Sequence, residues 1–116
     1  IGMSSGLFYA VSSHASTDEV VDVAKPLGKW KGVYTAHMRD EGDHIIKSMD
    51  ETFEIGRRVD AEIIVSHHKC SGRSNFGRMV ETRLELIQAK LPALEGPSHF
   101  RSALPGLEGK RGECEY

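Results

Sequence analysis

Three times along the chain a short apolar run passes through a polar loop into a helical pattern, at a spacing of about 30 residues. Nothing else in the sequence constrains the fold as much. Strands that alternate with helices must pair in parallel, because each crossover helix returns the chain to the same end of the sheet. In the first unit, residues 1–9 mix small and apolar side chains and read as the end of a buried strand. A polar link follows over 10–15. Ser16, Thr17, Asp18 and Glu19 then fit a capping box, in which Ser16 satisfies a backbone amide and Glu19 reaches back. Behind it Val20, Val23, Ala24 and Leu27 recur at helical spacing, and Pro26 predicts that the helix ends or bends near Lys25.

The second unit opens with a strand-like run over 32–36, which leads into His37, Met38, Arg39, Asp40, Glu41 and Gly42. An amphipathic helix is expected next, with Ile45, Ile46, Met49, Phe53, Gly56 and Val59 on one face. Asp43 is expected in its first turn and Arg57 and Arg58 in its last, which suits the helix dipole. The third unit begins with the continuous apolar run 62–66, the pattern of a parallel strand covered on both faces. It ends in His67, His68 and Lys69. A Gly/Ser/Asn loop over 71–77 leads to a helix from about Arg78 to Lys90, with Val80, Leu84 and Ile87 in step.

The expected fold class is therefore α/β, with about three consecutive βα units. Three units are only part of a closed (β/α)8 TIM barrel, which needs eight and typically ~250 residues. An open doubly wound sheet fits the same pattern. Residues 1–90 are expected to form the ordered segment. Residues 91–116, with Pro92, Pro97 and Pro105 among glycines and scattered leucines, are expected to be an irregular, disordered tail.

Composition narrows the function. A net charge of −2 lacks the clustered cations of a nucleic-acid surface. No run approaches the ~20 continuous apolar residues of a membrane span. No charged leader with an apolar core precedes a cleavage site, so the chain reads as cytoplasmic, with a signal upstream of Ile1 left open. Cys70 and Cys114 lack metal-knuckle spacing; free thiols are the preferred reading and one disulfide the other.

In parallel α/β proteins, working residues collect where strands end and loops begin. Each of the three ends here holds a chemically capable group: Tyr9, His37, and the run His67, His68, Lys69. Adjacent strands lie about 4.8 Å apart, so histidines at neighbouring ends can converge on one ion. Zinc takes imidazole nitrogen at about 2.0–2.1 Å and needs three or four ligands, of which His37 and one of His67 and His68 would supply two. Successive strand residues face opposite ways, so His67 and His68 are not expected on the same ion. The plain alternative is histidines hydrogen-bonded at loop edges. His14, His44 and His99 read as surface. Tyr9 reads as a substrate donor or as packing, and Lys69 as a carboxylate partner or a solvated lysine. Cys70 as a ligand would have to share geometry with His68. Asp40 and Glu41 read as partners of the His37 imidazole or as helix caps.

At Gly32-Val-Tyr-Thr-Ala-His-Met-Arg-Asp-Glu-Gly-Asp-His44 the sequence resembles the N-acyl-D-amino-acid deacylases, or D-aminoacylases, of the metal-dependent amidohydrolase superfamily. Ser5-Gly-Leu-Phe-Tyr9, Ala15-Ser-Thr-Asp-Glu-Val-Val21, Ile64-Val-Ser-His-His-Lys69 and Asn75-Phe-Gly-Arg78 agree in the same order. The resemblance covers about residues 1–90. It implies a (β/α)8 barrel with zinc at the C-terminal ends of the strands. His37 and His67, rather than His68, match metal ligands, and Lys69 and Tyr9 match residues of the substrate pocket. In that family a zinc-activated water attacks the acyl-amide carbonyl, and a carboxylate from a later strand serves as general base and acid. The implied substrate is a small N-acyl-D-amino acid, whose α-carboxylate Lys69 would face.

The departures from the family are specific. Its early His-x-His pair, bridging cysteine and catalytic aspartate have no counterpart in this chain, and the resemblance stops after Lys90, where a Tyr-Pro strand would follow. The expectation is a segment of a zinc-dependent deacylase, inactive alone. The alternatives are a truncated or pseudogene-like, non-catalytic product, or an unrelated half-barrel that oligomerises. Exposed sheet edges predict self-association.

Overall fold

A computed structural model describes residues 1–83 of the chain. The far part of the last expected helix and the whole of 91–116, with His99 and Cys114, lie outside the described residues.

Strands β1 (Gly2–Gly6), β2 (Val33–His37) and β3 (Glu62–Val65) form one parallel sheet in sequence order. Gly2 lies beside Val33 and Gly6 beside His37, while Val33 pairs with Glu62 and Ala36 with Val65. Both outer strands end a residue or more short of their apolar runs, and β2 takes in His37 as its last residue.

The capping box forms as expected. Ser16 accepts from the Glu19 amide at 3.2 Å, and Glu19 accepts from the Ser16 amide at 2.7 Å, opening α1 (Thr17–Ala24). Lys25 closes α1, and Pro26, whose missing N–H costs nothing at a first helical position, opens the short α2 (Pro26–Trp30). One expectation fails here. Val23 is 67% exposed, and the buried stripe of α1 is Val20, Val21 and Ala24. The break at Pro26 turns Leu27 inward without requiring Val23 to follow it.

Helix α3 (Ile45–Val59) buries Ile45, Met49, Phe53, Gly56 and Val59 as expected, with Ile46 partly buried beside them. It also buries Ser48, Thr52 and Ile55, so its apolar face is wider than the periodicity suggests. Ser48 and Thr52 are tolerated because each is bonded: the Thr52 hydroxyl donates to the Ser48 carbonyl at 2.8 Å, and the Ser48 hydroxyl accepts from the Asp40 amide at 2.9 Å. Asp43 is not in the first turn. The helix starts at Ile45 with His44 as N-cap, and the Asp43 carboxylate instead accepts from Asn75 Nδ2 at 2.8 Å.

Tyr34 and Ala36 of β2 and Ile63 of β3 are buried against residues of all three helices. Each of the large side chains in this layer contributes roughly 1.5–3 kcal/mol by leaving water. The Tyr34 hydroxyl is satisfied by Ser5 Oγ at 2.5 Å, and burial pushes its pKa up. The opposite face, with Val33, Thr35 and Ile64, is half-buried and carries none of the described helices. The expectation of a third strand covered on both faces is therefore not met among the described residues. A doubly wound sheet places helices on both faces; these helices share one. No described helix is long and apolar enough to cross a membrane.

Candidate metal centre

His37 stands level with Ser66 in the β2–β3 register, so His67 is one step further along. In an unbroken strand that step would turn its ring to the other face. The strand does not continue. The last ladder bond runs from the Ser66 amide to the Ala36 carbonyl at 2.9 Å, after which the chain turns. The turn brings the His67 ring to 4.7 Å from the His37 ring, inclined by 40°. His68 goes the other way. Its Nε2 lies 3.0 Å from Thr82 Oγ1, and its buried Nδ1 meets no hydrogen-bond partner among the described residues. Burial, with the nearby Arg83 charge adding to it, lowers the His68 pKa.

Two imidazoles that share one tetrahedral ion at about 2.1 Å place their ring centres roughly 5 Å apart. The observed 4.7 Å suits such a pair. No group of three or more His, Cys, Asp or Glu side chains that could hold an ion occurs among the described residues. The pair by itself is two donors short of a tetrahedral set. Cys70 does not join it; its free thiol lies 3.9 Å from the Thr82 hydroxyl.

Tyr9 extends the row. Its ring meets His37 edge-on, with centroids 5.7 Å apart. Gly6 makes this seat, since a Cβ there would fall 2.7 Å from the Tyr9 ring. The Tyr9 amide donates to the Gly6 carbonyl at 3.0 Å, and the Ser12 hydroxyl donates to the same oxygen. Tyr9 remains 54% exposed, open to a ligand.

Lys69 places its ammonium 2.8 Å from Glu41 Oε2. The Glu41 side chain is only 4% exposed, while Lys69 is 56% exposed. Glu41 therefore neither caps α3 nor partners His37. Asp40 is occupied locally, accepting from the Gly42 amide at 2.5 Å, with its other oxygen 4.0 Å from His44 Nδ1. His14 and His44 are exposed, as expected of surface residues.

Behind the row, Arg39 locks three elements together. It holds Glu51 of α3 with Nε at 2.9 Å and Nη2 at 2.7 Å, and donates to the Ser13 and Ala15 carbonyls at 2.5 and 2.7 Å. The loop that carries Tyr9 is thereby tied to the end of the strand that carries His37. Neither Arg39 nor Ser12 stood out in the sequence, because Ser12 bonds backbone carbonyls and Arg39 bonds backbone carbonyls and a glutamate 12 residues away, neither of which leaves a local pattern to read.

No family model matches the chain. Among curated relatives, a D-aminoacylase of Alcaligenes xylosoxydans xylosoxydans is 48% identical over 91 residues, covering 78% of this chain and 19% of the relative. An N-acyl-D-aspartate deacylase of the same organism is 48% identical over 87 residues, covering 74% and 17%. The chain thus spans about one fifth of the length of the curated relatives it matches. Two solved D-aminoacylase structures, one described as defining a novel subset of amidohydrolases and the other as having a binuclear metal centre, superimpose with a TM-score of 0.75. They are 49% and 48% identical and cover 77% of this chain and 19% of theirs. An N-acyl-D-glutamate deacylase of Bordetella bronchiseptica, solved with zinc and a phosphonate mimic of the tetrahedral intermediate, matches with a TM-score of 0.73 at 27% identity, over 85% of this chain and 20% of that one. In sequence and in fold, this chain belongs to the D-aminoacylase family of amidohydrolases.

Proposed function

We propose that this chain forms three consecutive βα units of a (β/α)8 barrel and supplies two zinc ligands, His37 and His67, to hydrolysis of N-acyl-D-amino acids. The observation that carries this reading is the convergence of the two imidazoles, 4.7 Å apart, at the ends of adjacent parallel strands. The sequential strand order and the one face shared by helices α1 to α3 support the barrel. When bound, zinc supplies Lewis acidity toward the amide carbonyl and a nucleophile at neutral pH. The rest falls to the chain's own groups. Tyr9 presents a hydroxyl beside His37, and Lys69 presents a compact positive charge to the substrate's α-carboxylate.

By itself the chain is expected to be catalytically silent. Two imidazoles fall short of a closed site, and no group of three or more donors completes it among the described residues. The same observation favours a second reading, a non-catalytic product of a deacylase gene. Both make one prediction about the ligands and differ in whether the donors remain competent. Histidine ring NMR during zinc addition tests this. In the first reading the His37 and His67 signals move together, and replacing either residue with alanine abolishes the response of the other. Independent or absent responses would leave the second reading.

A further inference from the structure

Glu41 is a buried carboxylate whose charged partner among the described residues is Lys69, two residues beyond His67. A buried anion is retained only where its surroundings compensate it, and an ammonium 2.8 Å away does so. The two groups are not equally buried. Glu41 is 4% exposed and cannot reach into solvent, whereas Lys69 is 56% exposed and can. The carboxylate is therefore the fixed member and the ammonium the presented one.

The backbone reinforces this asymmetry. The Glu41 carbonyl accepts from the Ser71 amide at 2.6 Å, so residue 41 grips the segment after β3 with both its main chain and its side chain. Asp43 continues the grip by accepting from Asn75 Nδ2. The loop between β2 and α3 thus acts as the template on which the histidine-bearing loop after β3 is laid. A lysine has four rotatable side-chain bonds and much rotamer freedom to lose on being ordered. An ammonium already held by Glu41 has lost much of that freedom before any ligand arrives. A lysine has three donors, so the bond to Glu41 leaves two for a second anion.

We infer that Glu41 is a positioning residue that fixes the Lys69 ammonium at the end of the sheet that carries His37 and His67, ready for the carboxylate of an N-acyl-amino acid. The inference rests on the function proposed above, and the two can fail separately.

The test is NMR of the lysine 15Nζ signals in the full chain, with N-acetyl-D-alanine and its carboxamide as probes differing only in the carboxylate. In the wild type a slowly exchanging Lys69 ammonium signal is expected, coupled to the Glu41 carboxylate, and shifted by the acid but not by the amide. In Glu41→Gln that coupling disappears and the response to the acid weakens roughly tenfold, while the His37 and His67 ring signals keep their wild-type positions. Glu41→Asp keeps the charge but retracts it by one methylene, so it also loses the coupling; this separates placement from charge and stands in if the Gln variant does not fold. An uncoupled, fast-exchanging Lys69 in the wild type overturns the inference. So does an acid response equal in all three chains. Acid and amide acting alike in the wild type removes Lys69 as the carboxylate's partner and overturns it too, while zinc-linked shifts at His37 and His67 would still support the metal reading.

Discussion

Replacing Glu51 with glutamine should remove an interaction whose strength depends on charge, and pH should show it. Glu51 accepts two bonds from Arg39, at 2.7 and 2.9 Å, and one from the Thr17 hydroxyl at 2.8 Å. Glutamine keeps one acceptor oxygen but turns an NH2 group toward the guanidinium. Losing a charge-assisted bond costs about 1.5–3 kcal/mol, and here one of the two to Arg39 is lost outright. Arg39 is 30% exposed and Glu51 15%, so water can partly replace the lost partner. The expected loss is therefore about 2 kcal/mol at neutral pH, not the larger figure for a wholly buried pair.

The sign of the pH effect follows from the carboxyl itself. Burial pushes the Glu51 pKa up, but hydrogen bonds from Arg39 and Thr17 and the Arg39 charge outweigh it, and the net position is below the ordinary 4.5. A depressed folded pKa gives stability that is complete above the unfolded value and is lost as pH falls through the folded one. Urea unfolding followed by circular dichroism at about pH 7 and about pH 3 should therefore show the gap between wild type and Glu51→Gln shrinking on acidification. The other carboxylates titrate in both chains and cancel in the difference. A gap of the same size at both pH values would refute the reasoning, because it would assign the loss to packing instead of charge.

Three further outcomes are expected. Gly28→Ala should lower the melting temperature despite alanine's better helix propensity, because its Cβ would stand 2.4 Å from the Val59 carbonyl oxygen; backbone cannot rotate away, and a net cost of about 1–2 kcal/mol is expected. An unchanged melting temperature would mean that α2 shifts freely. Lys31→Gly should do the reverse, since Lys31 closes α2 at φ +47°, where a side chain costs about 1 kcal/mol; a lower melting temperature would contradict this. Sedimentation velocity should show association that grows with concentration, because among the described residues the outer edges of β1 and β3 have no strand partner and one sheet face bears none of helices α1 to α3. A monomer at all concentrations that melts cooperatively would count against it.

What could be read in advance was whatever a residue does to its own neighbourhood. Ser16 and Glu19 bond each other's backbone across three residues, and Pro26 has one permitted place in a helix start, so both turned out where their local rules put them. The histidine pair was legible as a strand-end coincidence. That the His67 ring and not His68 stands beside His37 follows from the early end of β3 at Val65, which no alternation rule contains. Val23 and Asp43 went astray for a related cause. Val23 was assigned by carrying one periodic pattern across the break at Pro26 to Leu27, and Asp43 by starting α3 before Ile45; both limits are set by what packs outside.

Glu41 shows where single-residue reading ends. Beside a histidine and ahead of a helix, a glutamate has two ordinary uses, and the structure gives it neither. Its partner lies 28 positions away in the next unit, on a loop brought near only because β2 and β3 pair in register. Nothing in the composition of either loop announces that contact. It exists because two successive βα units present their loops at the same end of the sheet, the arrangement that also brings His37 to His67. The pairing of strands and the pairing of functional groups are thus one geometric fact. A change that shifted β3 by one residue would be expected to separate the imidazoles and strand the Glu41 charge together.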